Sequence, residues 1–170
     1  ILLGGGVSKF SQILGCSEQE AKVALECIME RYQGFKQLKE EVIPLDAQRG
    51  YFIGLDGRAV RIPADTPGGR RHLCMSGYLQ NGEAIIMKLA ALRIAPQLGP
   101  LKSKFVNFVH DEFQFETPNN MDIAIQVAKL AAEAITWAGE ELNLKCPMAG
   151  SYWNDDTNDY TIGTNWYATH

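Results

Sequence analysis

Apolar positions along the chain change their spacing several times, and each change predicts an element. Ser17-Glu18-Gln19-Glu20 has the form of a capping box, with serine at the cap and glutamate three residues later. Behind it Ala21, Ala24, Leu25, Ile28 and Tyr32 recur at helical spacing. Gly34 interrupts the pattern, and Phe35, Leu38, Val42 and Ile43 resume it until Pro44, where the helix is predicted to stop. Two short β-type runs, Tyr51 to Leu55 and Arg58 to Ile62, flank Asp56-Gly57, which is a strong hairpin signal.

The stretch from Pro63 to Gly69 reads as a loop. Arg70 to Ala95 then has no proline and carries Leu73, Met75, Leu79, Ile86, Leu89 and Ala90 at helical spacing, which predicts one long helix ended by Pro96. Gly77 and Gly82 weaken it locally. They would be tolerated where a partner chain or nucleic acid packs closely.

Lys104 to Val109 and Phe113 to Glu116 have strand composition, with His110-Asp111-Glu112 between them. Pro118-Asn119-Asn120 caps a predicted alanine-rich helix over about 121–142, which reads as core packing. Lys145 to Met148 is a candidate short strand, Asn154 to Asp159 a polar loop, and Trp153 and Trp166 candidate anchors of the tail. This order of elements predicts an α+β fold, with helices packed on an antiparallel sheet.

Composition changes this picture little. The 170 residues are enough for one core, and 46% hydrophobic with 21% charged residues is ordinary for a globular chain. No run in the sequence reads as a bilayer span or a signal peptide, so no membrane partner is expected and a cytoplasmic location is. The chain begins at Ile1 rather than Met, which fits a partial or processed chain. Cys16, Cys27, Cys74 and Cys146 form no CxxC pair, which speaks against zinc; reduced, mostly buried thiols are expected. The net charge of −4 disfavours phosphate binding by the chain as a whole, although Arg58, Arg61, Arg70, Arg71, His72 and Lys88 gather in one stretch.

The candidate chemistry lies at His110-Asp111-Glu112. A tight turn breaks strand alternation, so that adjacent carboxylates can reach one cleft. Two close acids repel unless a cation joins them, and a hard divalent ion such as Mg²⁺ suits oxygen ligands. Spacing alone is served equally by a solvated polar turn, the commoner origin of so short a motif. Asp155, Thr157 and Asp159 alternate like a calcium loop but lack its glycine and its closing glutamate.

Phe108 to Glu116, read as Phe-Val-His-Asp-Glu-Phe-Gln-Phe-Glu, resembles the family A DNA polymerase motif in which a palm hairpin presents His-Asp-Glu. Further similarities follow in family order. Ile1-Leu2-Leu3-Gly4-Gly5-Gly6 resembles the end of the nucleotide-binding fingers helix. Gly54 to Arg58 resembles the Leu-Asp-Gly-Arg hairpin, and Leu79-Gln80 the template-primer helix. Gly163-Thr164-Asn165-Trp166 with His170 resembles the closing signature. Trp137, Gly139 and Asn143 to Cys146 lean toward the phage branch.

The resemblance implies a palm-type antiparallel sheet over 46–170 with a C-terminal tail, and the remainder of the fingers helices over 1–45. It implies nucleotidyl transfer from dNTP to a primer 3′-hydroxyl with two Mg²⁺ ions, held by Asp111 and supported by Glu112. It further implies that His110, Gln80, Ser76, His72 and Arg58 contact primer-template DNA and that Leu3 lies at the nucleotide. Ser76, His72 and Leu3 stand where the family commonly has asparagine, arginine and tyrosine. The upstream palm aspartate and the triphosphate-holding arginine and lysine of the fingers belong before Ile1. An N-terminal polymerase segment or subunit is therefore an expected partner, and a phage-encoded enzyme would work in the host cytoplasm. A chain acting without that segment would be a non-catalytic DNA- or partner-binding module.

Overall fold

A computed structural model describes residues 6–62, 70–154 and 158–169. It falls into two compact units, Ile1–Gly82 and Glu83–His170. Helices alternate with small antiparallel ladders, as an α+β reading requires.

In the first unit, α1 (Val7–Leu14) ends on Gly15 in a left-handed conformation. The α2 helix (Glu18–Arg31) starts at the predicted capping box: Ser17 accepts from the Glu20 N–H, and the Glu20 carboxylate accepts from the Ser17 N–H and hydroxyl. A short α3 (Gln33–Gln37) passes into a π-turn (Leu38–Val42) and then α4 (Ile43–Arg49). Pro44 does not stop the helical path. The π-turn bonds Ile43 N–H to Leu38 C=O, so Pro44 falls in the first turn of a new helix, where a missing N–H costs nothing. Strands β1 (Tyr51–Ile53) and β2 (Ala59–Arg61) pair antiparallel around the Asp56-Gly57 turn. Their Phe52 joins Ile43, Ile62, Cys74 and Met75 in the core of this unit.

The long helix α5 (Arg70–Leu98) runs past Pro96 rather than ending before it. Ile94 and Leu98 are buried one turn apart while Pro96 faces outward, so packing holds the last turn despite the lost hydrogen bond. Over Leu73–Leu101 the chain is long and apolar enough to cross a bilayer by length and composition, contrary to the sequence expectation. Its buried residues instead line both cores, the usual position of a core helix.

In the second unit, β3 (Lys104–Val109) pairs with β4 (Glu112–Glu116), and α6 (Met121–Glu141) starts at Asn120, whose side chain accepts from the N–H groups of Asp122 and Ile123. Ala134, Ala138 and Val127 of α6 pack with Ile86, Ala90, Ile94 and Leu98. The expected strand at Lys145 to Met148 does not form. Met148 lies over Gly139 of α6, and Gly150 approaches Ala132, so this segment packs along the helix instead of pairing. Within the predicted polar loop, β5 (Trp153–Asn154) pairs with β6 (Asp159–Tyr160). The calcium-like alternation includes Asp155 and Thr157, which lie outside the described residues. A short 3-10 turn (Trp166–Thr169) ends the tail; Trp166 is largely exposed, not a buried anchor, and Trp153 meets Tyr160 edge-on.

The described strands form three separate two-stranded ladders rather than one sheet. The thiols also depart from expectation. Only Cys74 is buried, while Cys27 and Cys146 are exposed. Burial, with Asp46 nearby, pushes the Cys74 thiol up to about 11.

Candidate active-site hairpin and nucleic-acid face

The hairpin that carries the candidate carboxylates is shaped by four phenylalanines. Phe105 pairs with Phe115 and Phe108 with Phe113, and the rings meet edge to face at 5.1 to 5.3 Å. On β4 the two rings are two residues apart, as alternation requires. On β3 they are three apart, and a bulge between Phe105 and Asn107 absorbs the extra residue. Both rings of β3 are thereby half-buried while Val106, Asn107 and Val109 are exposed.

Val109 opposes Glu112, leaving His110 and Asp111 as a two-residue connection. His110 has a φ of +53°, the sign that primed hairpin turns demand at their first central residue. Glycine would meet that demand without cost; a histidine there stores backbone strain, a feature concentrated at functional sites. His110 and Asp111 are exposed. Glu112 is half-buried on the face opposite the rings, and its Oε1 accepts from Gln114 Nε2 at 2.8 Å.

Among the described residues no group of three His, Cys, Asp or Glu side chains is arranged to hold a metal. An exposed Asp111 at the tip with the half-buried Glu112 next to it nonetheless suits the donor chemistry of a magnesium site. That ion takes one or two protein carboxylates and completes its shell with water and phosphate oxygens.

The other candidate residues lie in the first unit. Gln80 is exposed on α5, and one turn before it Ser76 is half-buried, its hydroxyl donating to Leu73 C=O at 3.2 Å. His72 belongs to α5, but its side chain lies outside the described residues, as does Leu3. Arg58 is exposed on the β1–β2 turn, and its guanidinium pairs with the Asp56 carboxylate.

The structure also explains Gly77 of α5. A Cβ on Gly77 would lie 2.9 Å from the Phe52 ring, and one on Gly82 would lie 3.5 Å from Leu55. At Gly77 the close neighbour is therefore this chain's own hairpin, whereas at Gly82 the Leu55 contact is an ordinary one that would admit a side chain. A group that sequence reading missed joins them. The buried Asp46 accepts from the Tyr78 hydroxyl of α5 and pairs with Arg49 at 3.2 Å. Burial and the Asp46 contact raise the Tyr78 phenol far above its ordinary range. Asp46 lies beyond Pro44, where the sequence reading stopped the helix, so no periodic signal pointed to this role.

Comparison with known proteins fits this arrangement. A DNA-directed DNA polymerase of Escherichia phage Phieco32 is 30% identical over 98% of this chain and 26% of its own length. DNA polymerase I of Deinococcus radiodurans is 27% identical over 99% of the chain and 17% of its own length. The chain thus spans about a quarter or less of these relatives. The POL domain of Pol1 from M. smegmatis, solved in complex with DNA primer-template and dNTP, shares the fold with a TM-score of 0.66 at 23% identity, over 81% of this chain and 25% of that one. The model of DNA polymerase family A matches residues 1–167, and the chain belongs to that family.

Proposed function

We propose that this chain supplies the C-terminal part of a template-directed DNA polymerase, in which a primer 3′-hydroxyl attacks the α-phosphate of a dNTP and pyrophosphate leaves. The observation that carries this reading is the strained two-residue tip, which holds Asp111 exposed beside Glu112 at the end of an aromatic hairpin. Family membership supports it. In this reading residues 1–45 complete the fingers and 46–170 form the palm and tail, and the remaining catalytic groups come from an upstream segment or subunit.

Each residue then has a distinct task. Asp111, with an aspartate of that segment, would hold the Mg²⁺ ions. Glu112, steadied by Gln114, would back the site or hold a water on the metal. Bound ions would supply charge neutralisation at the attacking and leaving oxygens. His110 contacts the primer-terminal backbone. Gln80, helped by Ser76 and His72, meets the minor-groove edge, where acceptors are similar for all pairs and report pairing geometry rather than sequence. Arg58 contacts the DNA backbone, and Leu3 adjoins the incoming nucleotide.

The test is primer extension by the full-length polymerase that contains this chain, with Mg²⁺ and all four dNTPs. Asp111→Ala is expected to abolish extension while circular dichroism stays unchanged, because the tip contributes little to the core. Near-normal extension by this variant would remove Asp111 from the metal site. It would favour a non-catalytic DNA- or partner-binding module.

A further inference from the structure

The contact between the β1–β2 turn and α5 has one anomalous member. Gly77 and Asn81, four residues apart, share one side of the helix, and they meet the hairpin together with Gly82: Gly77 at Phe52, Asn81 at Gly54 and Gly82 at Leu55. Gly77 is a simple close approach, and Gly82 an ordinary contact. Asn81 is different. Its Oδ1 is buried and has no hydrogen-bond partner among the described residues. A Cβ on Gly54 would lie 2.3 Å from that oxygen, so the hairpin backbone comes as near to Asn81 as a residue without a side chain permits. A buried acceptor without a donor destabilises the fold, and an apolar residue of similar shape would avoid that. Such violations of local rules are expected at sites kept for function.

What lies beside Asn81 indicates the function. Gln80, its neighbour, is exposed. Gly54 opens the turn that ends at Arg58, and the Gly54 N–H donates to Arg58 C=O at 2.9 Å. We infer that Asn81 is a positioning residue: seated against Gly54, it fixes the β1–β2 turn on α5 and so holds Arg58 and Gln80 as one surface for primer-template DNA. This rests on the reading above that Gln80 and Arg58 contact DNA. Neither the Gln80 nor the Arg58 side chain reaches far enough into the core to be set by packing of its own. The seat under the turn sets their spacing.

The prediction separates position from stability. Asn81→Ala removes the unpaired oxygen and loosens the seat of the turn. In the full-length polymerase it is expected to leave the thermal midpoint unchanged or raised, while affinity for a fluorescein-labelled primer-template duplex falls about tenfold, the size of a coupled-residue effect. A fall in midpoint and affinity together would make Asn81 merely structural, and unchanged affinity would also overturn the inference. Gln80→Ala and the double variant complete the test. Asn81→Ala acting through Gln80 weakens binding by less in the Gln80→Ala background than alone; full additivity counts against the inference. If Gln80→Ala itself leaves binding unaltered, the DNA-contact reading fails and the inference falls with it. If Gln80→Ala weakens binding and Asn81→Ala does not, the inference alone falls.

Discussion

At the scale of the residue, the clearest test concerns Gly77. Alanine is the better helix former by up to about 1 kcal/mol, so an exposed Gly→Ala change in α5 would stabilise. Here the new methyl would meet the Phe52 ring at 2.9 Å. Phe52 is 1% exposed and lies against Tyr78 with ring centroids 4.3 Å apart, so it has little room to retreat. Overpacking typically costs about 1–3 kcal/mol, which outweighs the propensity gain. Gly77→Ala is therefore expected to lower the thermal midpoint measured by calorimetry; a rise would show that the ring yields easily. The sequence marked Gly77 and Gly82 as costly in a helix but could not name the neighbour, because Phe52 and Leu55 lie more than twenty residues upstream and nothing local records their approach. Asn81 was less legible still: a polar residue beside Gln80 looks like any solvated helix position until the burial of its oxygen is seen.

Elements were legible where their signals are local. The capping box at Ser17, the asparagine cap at Asn120 and the Asp56-Gly57 turn each satisfy backbone groups within a few residues, so sequence and structure agree. Ser17→Ala should destabilise α2 by about 0.5–2 kcal/mol, the usual worth of a cap, visible as a lower urea midpoint with little change in slope. An unchanged midpoint would mean that α2 is held by packing alone. The Ser17 hydroxyl and then its backbone N–H hold the Glu20 carboxyl below its ordinary value. The contribution of that half of the box is thus present at neutral pH and is lost as pH falls through the lowered value. Prolines misled where tertiary packing decides. Pro44 was rescued by the π-turn before it, and Pro96 by Ile94 and Leu98 on either side. That the described hairpins stay separate ladders was not legible, because local alternation marks a strand but not its neighbours in a sheet.

For the whole molecule, the net charge of −4 sets a condition on any DNA contact. Binding must come from segregated cations such as Arg58 and Arg61, both exposed on the β1–β2 hairpin. Binding of the full-length polymerase to primer-template is accordingly expected to weaken by roughly tenfold or more between about 50 and 200 mM salt, as release of counterions from several phosphates demands. A flat salt dependence would exclude those phosphate contacts. The candidate tip was visible in the sequence because ionisable residues interrupt apolar strands there. Its orientation was not, because it depends on the bulge at Val106. That one feature makes the tip a matter of parity. Each residue added to or removed from a strand exchanges its two faces. From Phe108 onward β3 is in the opposite phase to the one set by Phe105, and the connection at His110 inherits that phase. Changes of two residues in β3 would preserve the side toward which Asp111 is carried, whereas a change of one would reverse it while leaving composition, apolar content and motif intact. Counting odd against even positions between Phe105 and Asp111 is therefore a stricter criterion for a working tip than the presence of His-Asp-Glu itself.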